Sequence, residues 1–223
     1  MTKFLVINPT QNSTEFAIFC DDKILQKHSE SKTKLSKDFF IILENLFAKT
    51  NLNFENLDFI AVNQGPGPFT TLRVVLASVN GLSFASKIPL VGIDGIKTLL
   101  EEFKDSNFAT NIALLNAFAD DVYFAIDSNN SVDAGYENID TFLNELKNKF
   151  SNPINFFGAG TELFAEKIKN ILGDQAVFAK NVAMNCSIER LVEKALEKFT
   201  ANQTSNQLLP LYLKIGKYKP LVD

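Results

Sequence analysis

The 223-residue chain is 46% hydrophobic and 22% charged with a net charge of −4, the composition of an ordinary soluble globular protein. A pI near 5.2 makes it a poor grip for nucleic acid on its own, because phosphate contacts need a basic face. Cys20 and Cys186 stand at no metal-ligand spacing and read as reduced thiols, and no apolar run is long enough for a signal sequence or a membrane span. The expectation is a cytoplasmic protein without membrane association.

In chain order, Phe4-Leu5-Val6-Ile7-Asn8 and Phe16-Ala17-Ile18 read as two apolar strands of a hairpin. A helix is predicted over Lys37 to Lys49. Its run Phe39-Phe40-Ile41-Ile42-Leu43, then Leu46-Phe47, covers more than one core-facing stripe, so this helix should be buried on two sides. Phe39, Phe40, Leu43 and Phe47 are therefore candidates for a partner interface. A strand over Phe59 to Val62 runs into Gly65-Pro66-Gly67-Pro68-Phe69-Thr70-Thr71-Leu72-Arg73 and then a helix over Thr70 to Ser86. Two glycines and two prolines fix the shape of that turn and allow close approach to its backbone. It is not a P-loop, since no Gly-Lys-Ser/Thr closes it. Along the helix, Arg73, Ala77, Gly81 and Ala85 recur every four residues, a shallow face that another helix can approach; Phe69 opens it.

A charged stretch, Glu101 to Asn111, divides the chain into lobes over residues 1–103 and 104–223. Beyond it the plan repeats at a shift of 108 residues: Ile112-Ala113-Leu114-Leu115-Asn116 falls on the first strand and Phe124-Ala125-Ile126 on the second. A helix over Thr141 to Phe150, a strand over Asn155 to Phe157 and a helix over Thr161 to Leu172 follow in the same order. A last helix, Ser187 to Phe199, is apolar on one face. A polar linker, Ala201 to Asn206, leads to an extended apolar tail, Leu208 to Tyr218, expected to dock. The fold class is α/β, two tandem lobes with mixed sheets and flanking helices.

Catalytic machinery is hard to assemble from these residues. His28 is the sole histidine, and Gly-x-Ser-x-Gly does not occur. Asp120 and Asp121 read as a solvated turn.

The repeated lobe resembles the RNase H-like lobes of the actin/hexokinase/Hsp70 ATPases, whose first strand in each lobe ends on an aspartate. Both matching positions here are amides, Asn8 and Asn116, which neither bind a hard cation as a carboxylate does nor act as a base. The wording of Gly65 to Arg73, with Gly65, Pro66, Gly67 and Thr70 as its motif residues, closely resembles the TsaB/YeaZ family. So do Leu57-Asp58-Phe59-Ile60-Ala61-Val62, Pro89-Leu90-Val91-Gly92-Ile93, Glu15-Phe16-Ala17-Ile18, Asp121-Val122-Tyr123 and Pro210-Leu211-Tyr212-Leu213-Lys214. The chain departs from the family wording at Asn8-Pro9-Thr10, Pro68, Thr71 and Asn116-Ala117-Phe118.

The resemblance implies a non-catalytic subunit that pairs with the metal-bearing paralogue TsaD and works with the ATPase TsaE. Together they place threonylcarbamoyl on the adenosine beside the anticodon of tRNAs reading ANN codons. It further implies that ATP and metal belong to the partners, that tRNA is met only through the complex, and that the pairing surface is the two first-lobe helices. Phe39, Phe40, Leu43, Phe47, Phe69, Arg73, Ala77 and Gly81 would lie on it, with self-pairing into a homodimer when the partner is absent. The competing readings are an ATP-dependent kinase or ATPase of the same superfamily and a glycopeptidase-like hydrolase.

Overall fold

A computed structural model describes residues 1–129, 131–180 and 184–213. The first half forms β1 (Lys3–Pro9), β2 (Ser13–Cys20), β3 (Lys23–Ser31), α1 (Lys32–Ala48), β4 (Phe59–Asn63), α2 (Phe69–Ser86), β5 (Leu90–Ile93) and α3 (Gly95–Phe103). The second half forms β6 (Thr110–Asn116), β7 (Asp121–Ser128), β8 (Ser131–Asn138), α4 (Ile139–Lys149), β9 (Ile154–Phe157), α5 (Ala159–Leu163), α6 (Ala165–Leu172), β10 (Ala176–Phe178) and α7 (Ile188–Thr200). The sheets run β3-β2-β1-β4-β5 and β8-β7-β6-β9-β10, one plan used twice. In each, three antiparallel strands are joined to two parallel ones. The repeat read at a shift of 108 residues is thus a repeat of topology. The fold is the two-lobed architecture of the actin/hexokinase/Hsp70 type.

Central strands covered on both faces should be apolar throughout, and β1 is buried from Phe4 through Asn8. Its residues alternate between two cores. Leu5 and Ile7 pack with Phe39, Leu43, Val75 and Val79 beneath α1 and α2. Phe4 and Val6 pack with Leu99 of α3, Leu191 of α7, and Ala113, Leu115 and Phe157 of the second sheet. The lobes therefore share one continuous apolar layer. A third cluster lies between the second sheet and α4 and α6.

Within the shared layer the helices are exchanged. α3, from the first half, packs on β6 and β7, whereas α7, from the second, packs on β1, β4 and β5. Phe199 of α7 stacks on Phe59 with ring centroids 4.4 Å apart. A cut at residue 103 would assign α7 to the lobe whose sheet it does not cover. Ser187 caps α7 by accepting from the amide of Arg190 at 3.0 Å, and Ile188, Leu191, Val192 and Ala195 form its buried stripe.

Two local readings need correction, and some elements had no reading. The edge strands β3 and β8 extend each hairpin to three strands, and α3, from Gly95 to Phe103, runs into the charged stretch. The helix read over Thr161 to Leu172 is two helices, α5 and α6, broken at Phe164 (φ −109°). α1 begins at Lys32 rather than Lys37. The tail docks as far as it is described. Leu208 is buried, its amide donates to Asn80 Oδ1 at 2.8 Å, and the amide of Leu211 donates to the Gln64 carbonyl at 2.9 Å. Residues 214–218 lie outside the described residues.

Candidate interaction face and the interlobe amide cluster

At the end of β1, Asn8 is fully buried and its amide is saturated. Nδ2 donates to Glu15 Oε2 (3.2 Å) and to the carbonyl of Cys186 (3.3 Å), while Oδ1 accepts from Asn63 Nδ2 (2.9 Å). Asn63 Oδ1 in turn accepts from the amide of Gly65 at 2.9 Å. A carboxylate could not make this set, because two of the bonds require donors at position 8. The amide ties the motif turn to the segment leading into α7. The nearby Cys186 thiol is pushed up to about 12, by burial first and by the Glu102 and Glu15 carboxylates second, which disfavours the thiolate.

Asn116, the second amide, is half-buried and held more loosely, through a single side-chain bond. Its Oδ1 accepts from the amide of Phe118 (2.7 Å), and its carbonyl accepts from Gln11 Nε2 (3.2 Å), a bond between the lobes. Asp120 faces solvent and pairs with Lys167 at 3.2 Å, as does Asp140 at 3.0 Å. His28 is exposed on β3, 3.6 Å from Glu30. Among the described residues, no three His, Cys, Asp or Glu side chains converge on a point that could hold a metal ion, and no helix is long and apolar enough to cross a membrane.

The motif turn is a structural joint. Gly65 has φ +108°, a conformation that favours glycine, and a Cβ there would come within 3.0 Å of Leu72 Cδ1. Its carbonyl accepts from the amide of Gly95, which ties β4 to the start of α3. Pro66 and Pro68 are buried and Gly67 is half-buried, so most of this backbone packs against protein, while Pro68 to Thr71 border an open pocket shared with Leu35 and Phe118. Pro68 is the N-cap residue of α2, and Thr70 is exposed on the first turn while Thr71 points inward.

Asp94 caps α3 by accepting from the amide of Lys97 at 3.1 Å. Burial raises its carboxyl above the usual value, opposed in part by that amide and by Lys97 and Lys198. A raised folded pKa means the ionised form is penalised by folding. The contribution is fully present below the unfolded value and lost as pH rises through the folded one. Asp94→Asn keeps the capping acceptor and removes the titration. The variant's melting temperature should gain on the wild type as pH rises from about 4 towards neutrality; parallel melts across pH check it, and a constant gap would contradict the burial cause.

α1 and α2 both run opposite to the parallel strands and lie side by side on the outer face of the first sheet. Here the interface expectation is corrected in part. Phe39 and Leu43 point into the lobe's own core, and Phe47 is half-buried against Phe54. The remaining candidates are exposed: Phe40 (59%) on α1, and Phe69 (53%), Arg73, Ala77 and Gly81 on α2. A Cβ on Gly81 would meet nothing within 4 Å. The reading missed Phe84, which is 78% exposed at the end of α2, and Tyr212 of the tail. Arg73 Nε donates to Tyr212 Oη at 3.0 Å, and its guanidinium lies 3.8 Å above the Phe69 ring. The aromatic-to-cation spacing of Phe69 with Arg73 and Phe84 with Lys87 was a usable signal; the tail contact crosses 139 residues of chain and was not.

Two like lobes, each with three antiparallel strands joined to two parallel ones and flanked by helices, define a protein of the actin-like ATPase fold. The chain belongs to the family described as TsaD: tRNA N6-adenosine threonylcarbamoyltransferase, whose model matches residues 28–214. Among relatives it is similar to the tRNA threonylcarbamoyladenosine biosynthesis protein TsaB of Buchnera aphidicola, 23% identical over 54% of this chain and 55% of that one. It is also similar to the tRNA N6-adenosine threonylcarbamoyltransferase of Bacillus licheniformis, 43% identical over 25% of this chain and 16% of that one. These matches therefore span about half of the first relative and less of the second. In fold it is similar to YeaZ from Pseudomonas aeruginosa, with a TM-score of 0.70 at 18% identity, covering 96% of this chain and all of that one. The TsaB/YeaZ resemblance carried by the motif turn agrees with both.

Proposed function

We propose that the chain is a non-catalytic subunit of the machinery that makes threonylcarbamoyladenosine on tRNAs reading ANN codons. In this reading it pairs through α1 and α2 with a TsaD-like catalytic paralogue, and a TsaE-like ATPase joins the assembly. The observation that carries it is the α2 face, where exposed aromatics border the small residues Ala77 and Gly81, which are themselves exposed among the described residues. Apolar faces of this kind mark protein contacts. The family relationship supports a partner of this kind, since a paralogue of like fold would have a like pair of helices to offer. Without it, two copies can meet through the same face. ATP and metal then belong to the partner subunits, and tRNA is met only through the complex.

The fully bonded amide of Asn8, with an amide rather than an acid at Asn116 as well, supports absence of turnover by this chain and weighs against the kinase and hydrolase readings. Reconstitution tests the proposal. The catalytic paralogue and the ATPase should yield modified tRNA transcript only when this chain is added, and the chain alone should show no heat of binding with ATP·Mg²⁺ and no ATPase, peptidase or transferase turnover. Full activity without the chain, or turnover by the chain alone, would overturn it.

A further inference from the structure

Two lobes on one chain shift against each other by default, unless a large apolar contact holds them. Here both halves build that contact. Leu99 of α3 and Leu191 of α7 lie in one buried cluster with Val6 of the first sheet and Phe157 of the second, and the Phe103 and Phe157 rings sit 6.3 Å apart. The fit is close. A Cβ on Gly158 would come within 3.2 Å of Leu99 Cδ2 and 2.5 Å of the Leu114 carbonyl oxygen.

Residues 184–187, which lead into α7, are bonded to both lobes. The Met184 carbonyl accepts from the amide of Ala159 at 3.1 Å, at the start of α5 in the second lobe. The Cys186 carbonyl accepts from Asn8 Nδ2 at 3.3 Å, at the end of β1 in the first. The amide of Ser187 donates to Glu102 Oε2 of α3 at 2.9 Å. If α7 moved with the first sheet, which it covers, the bonds of Met184 to Ala159 and of Ser187 to Glu102 would break. So would the ion pairs of Glu101 with Lys194 (2.6 Å) and Arg190 (3.5 Å). If α7 moved instead with α3 and the second sheet, the bond from Asn8 would break. Either motion parts Gln11 Nε2 from the Asn116 carbonyl, 3.2 Å away across the lobes, and opens the shared apolar layer to water.

We propose that residues 184–187 are a bolt between the lobes, and that the chain holds together as one cooperative unit with no hinge motion short of global unfolding. The inference goes beyond the subunit reading above and does not depend on which partner the chain meets. The bolt carries its own reporter, since Cys186 is only 4% exposed and reacts only when this segment leaves its place. Cys20, half-buried at the end of β2, is replaced by serine so that a single thiol is read.

Labelling of Cys186 with N-ethylmaleimide, in the full-length Cys20→Ser chain under rising urea, tests it. An opening that exposes little surface has a small urea slope, and one that exposes the whole chain has the slope of global unfolding. The labelling rate should rise with urea at the full slope of the unfolding curve read by circular dichroism. Glu102→Ala, added to that chain, removes the acceptor for Ser187. It should speed labelling about tenfold, as loss of a hydrogen bond to a charged group would, and lower the urea midpoint in proportion. Glu102→Gln keeps an acceptor oxygen and should do less. Gln11→Ala should move both readings together by a smaller amount. A labelling rate flat in urea below the transition would show a local opening and overturn the proposal. So would labelling sped by Glu102→Ala with the midpoint unmoved. If neither substitution moved either reading, these bonds would not hold the lobes, and the bolt would fall. Should Glu102→Ala not fold, the slope of the Cys20→Ser chain and Gln11→Ala still decide.

Discussion

Asn8→Asp should lower stability by about 3–5 kcal/mol at neutral pH, a fall of about 10 °C in melting temperature for a chain of this size. The substitution restores the residue type that the actin-like ATPases use at this position, so a cryptic catalytic site would be expected to tolerate or welcome it. The structure argues otherwise. Nδ2 of Asn8 donates to Glu15 Oε2 and to the Cys186 carbonyl, so a carboxylate would place oxygen against oxygen on both sides, in a fully buried position. The Asn63 amide alone would remain to satisfy it. The new acid's folded pKa would be raised. Its penalty should be nearly absent below the unfolded value near about pH 4 and should grow as pH rises through the folded value. Thermal melts across pH check the sign. A neutral or stabilising effect at pH 7 would mean the cluster accepts charge, and the kinase reading would have to be reopened.

Much of the architecture was legible because burial leaves a plain pattern. β1 is apolar at every position from Phe4 to Ile7 since helices cover it on both sides, and its copy at Ile112 to Leu115 has the same cause. The edge strands were hidden for the opposite reason. β3, Lys-Ile-Leu-Gln-Lys-His-Ser-Glu-Ser, is largely exposed, so no apolar face forces an alternation. The exchange of α3 and α7 was invisible because periodicity tells which face of a helix is apolar, not which sheet will meet it.

On α1 the run from Phe39 to Leu43 is apolar all round, and whole-helix hydrophobicity blurred core with surface. Spacing separates them: Leu35, Phe39, Ile42, Leu43 and Leu46 fall at intervals of three and four and are the buried set, which leaves Phe40 and Ile41 outside. The amides at Asn8 and Asn116 were readable as missing acids. The full set of bonds at Asn8 depended on Glu15, Asn63 and the Cys186 backbone coming together, which only the fold supplies.

The most direct test of the partner face is a pair of substitutions on α2, read by a melt and a pull-down of the TsaD-like paralogue together. Ala77 and Gly81 are exposed, and Gly81 has open space where a side chain would go. Ala77→Glu should therefore change stability little, and Gly81→Leu should raise it by up to about 1 kcal/mol, since glycine is a poor helix former. Across a helix–helix contact, the same changes put a charge or a bulky side chain where backbones must approach. A desolvated unpaired charge costs about 3–5 kcal/mol, against roughly 8 kcal/mol for a whole micromolar complex. The account predicts lost pairing with melts unchanged or raised. Intact pairing with unchanged melts would place the partner elsewhere on the molecule, and a collapsed melt would show the face to be core.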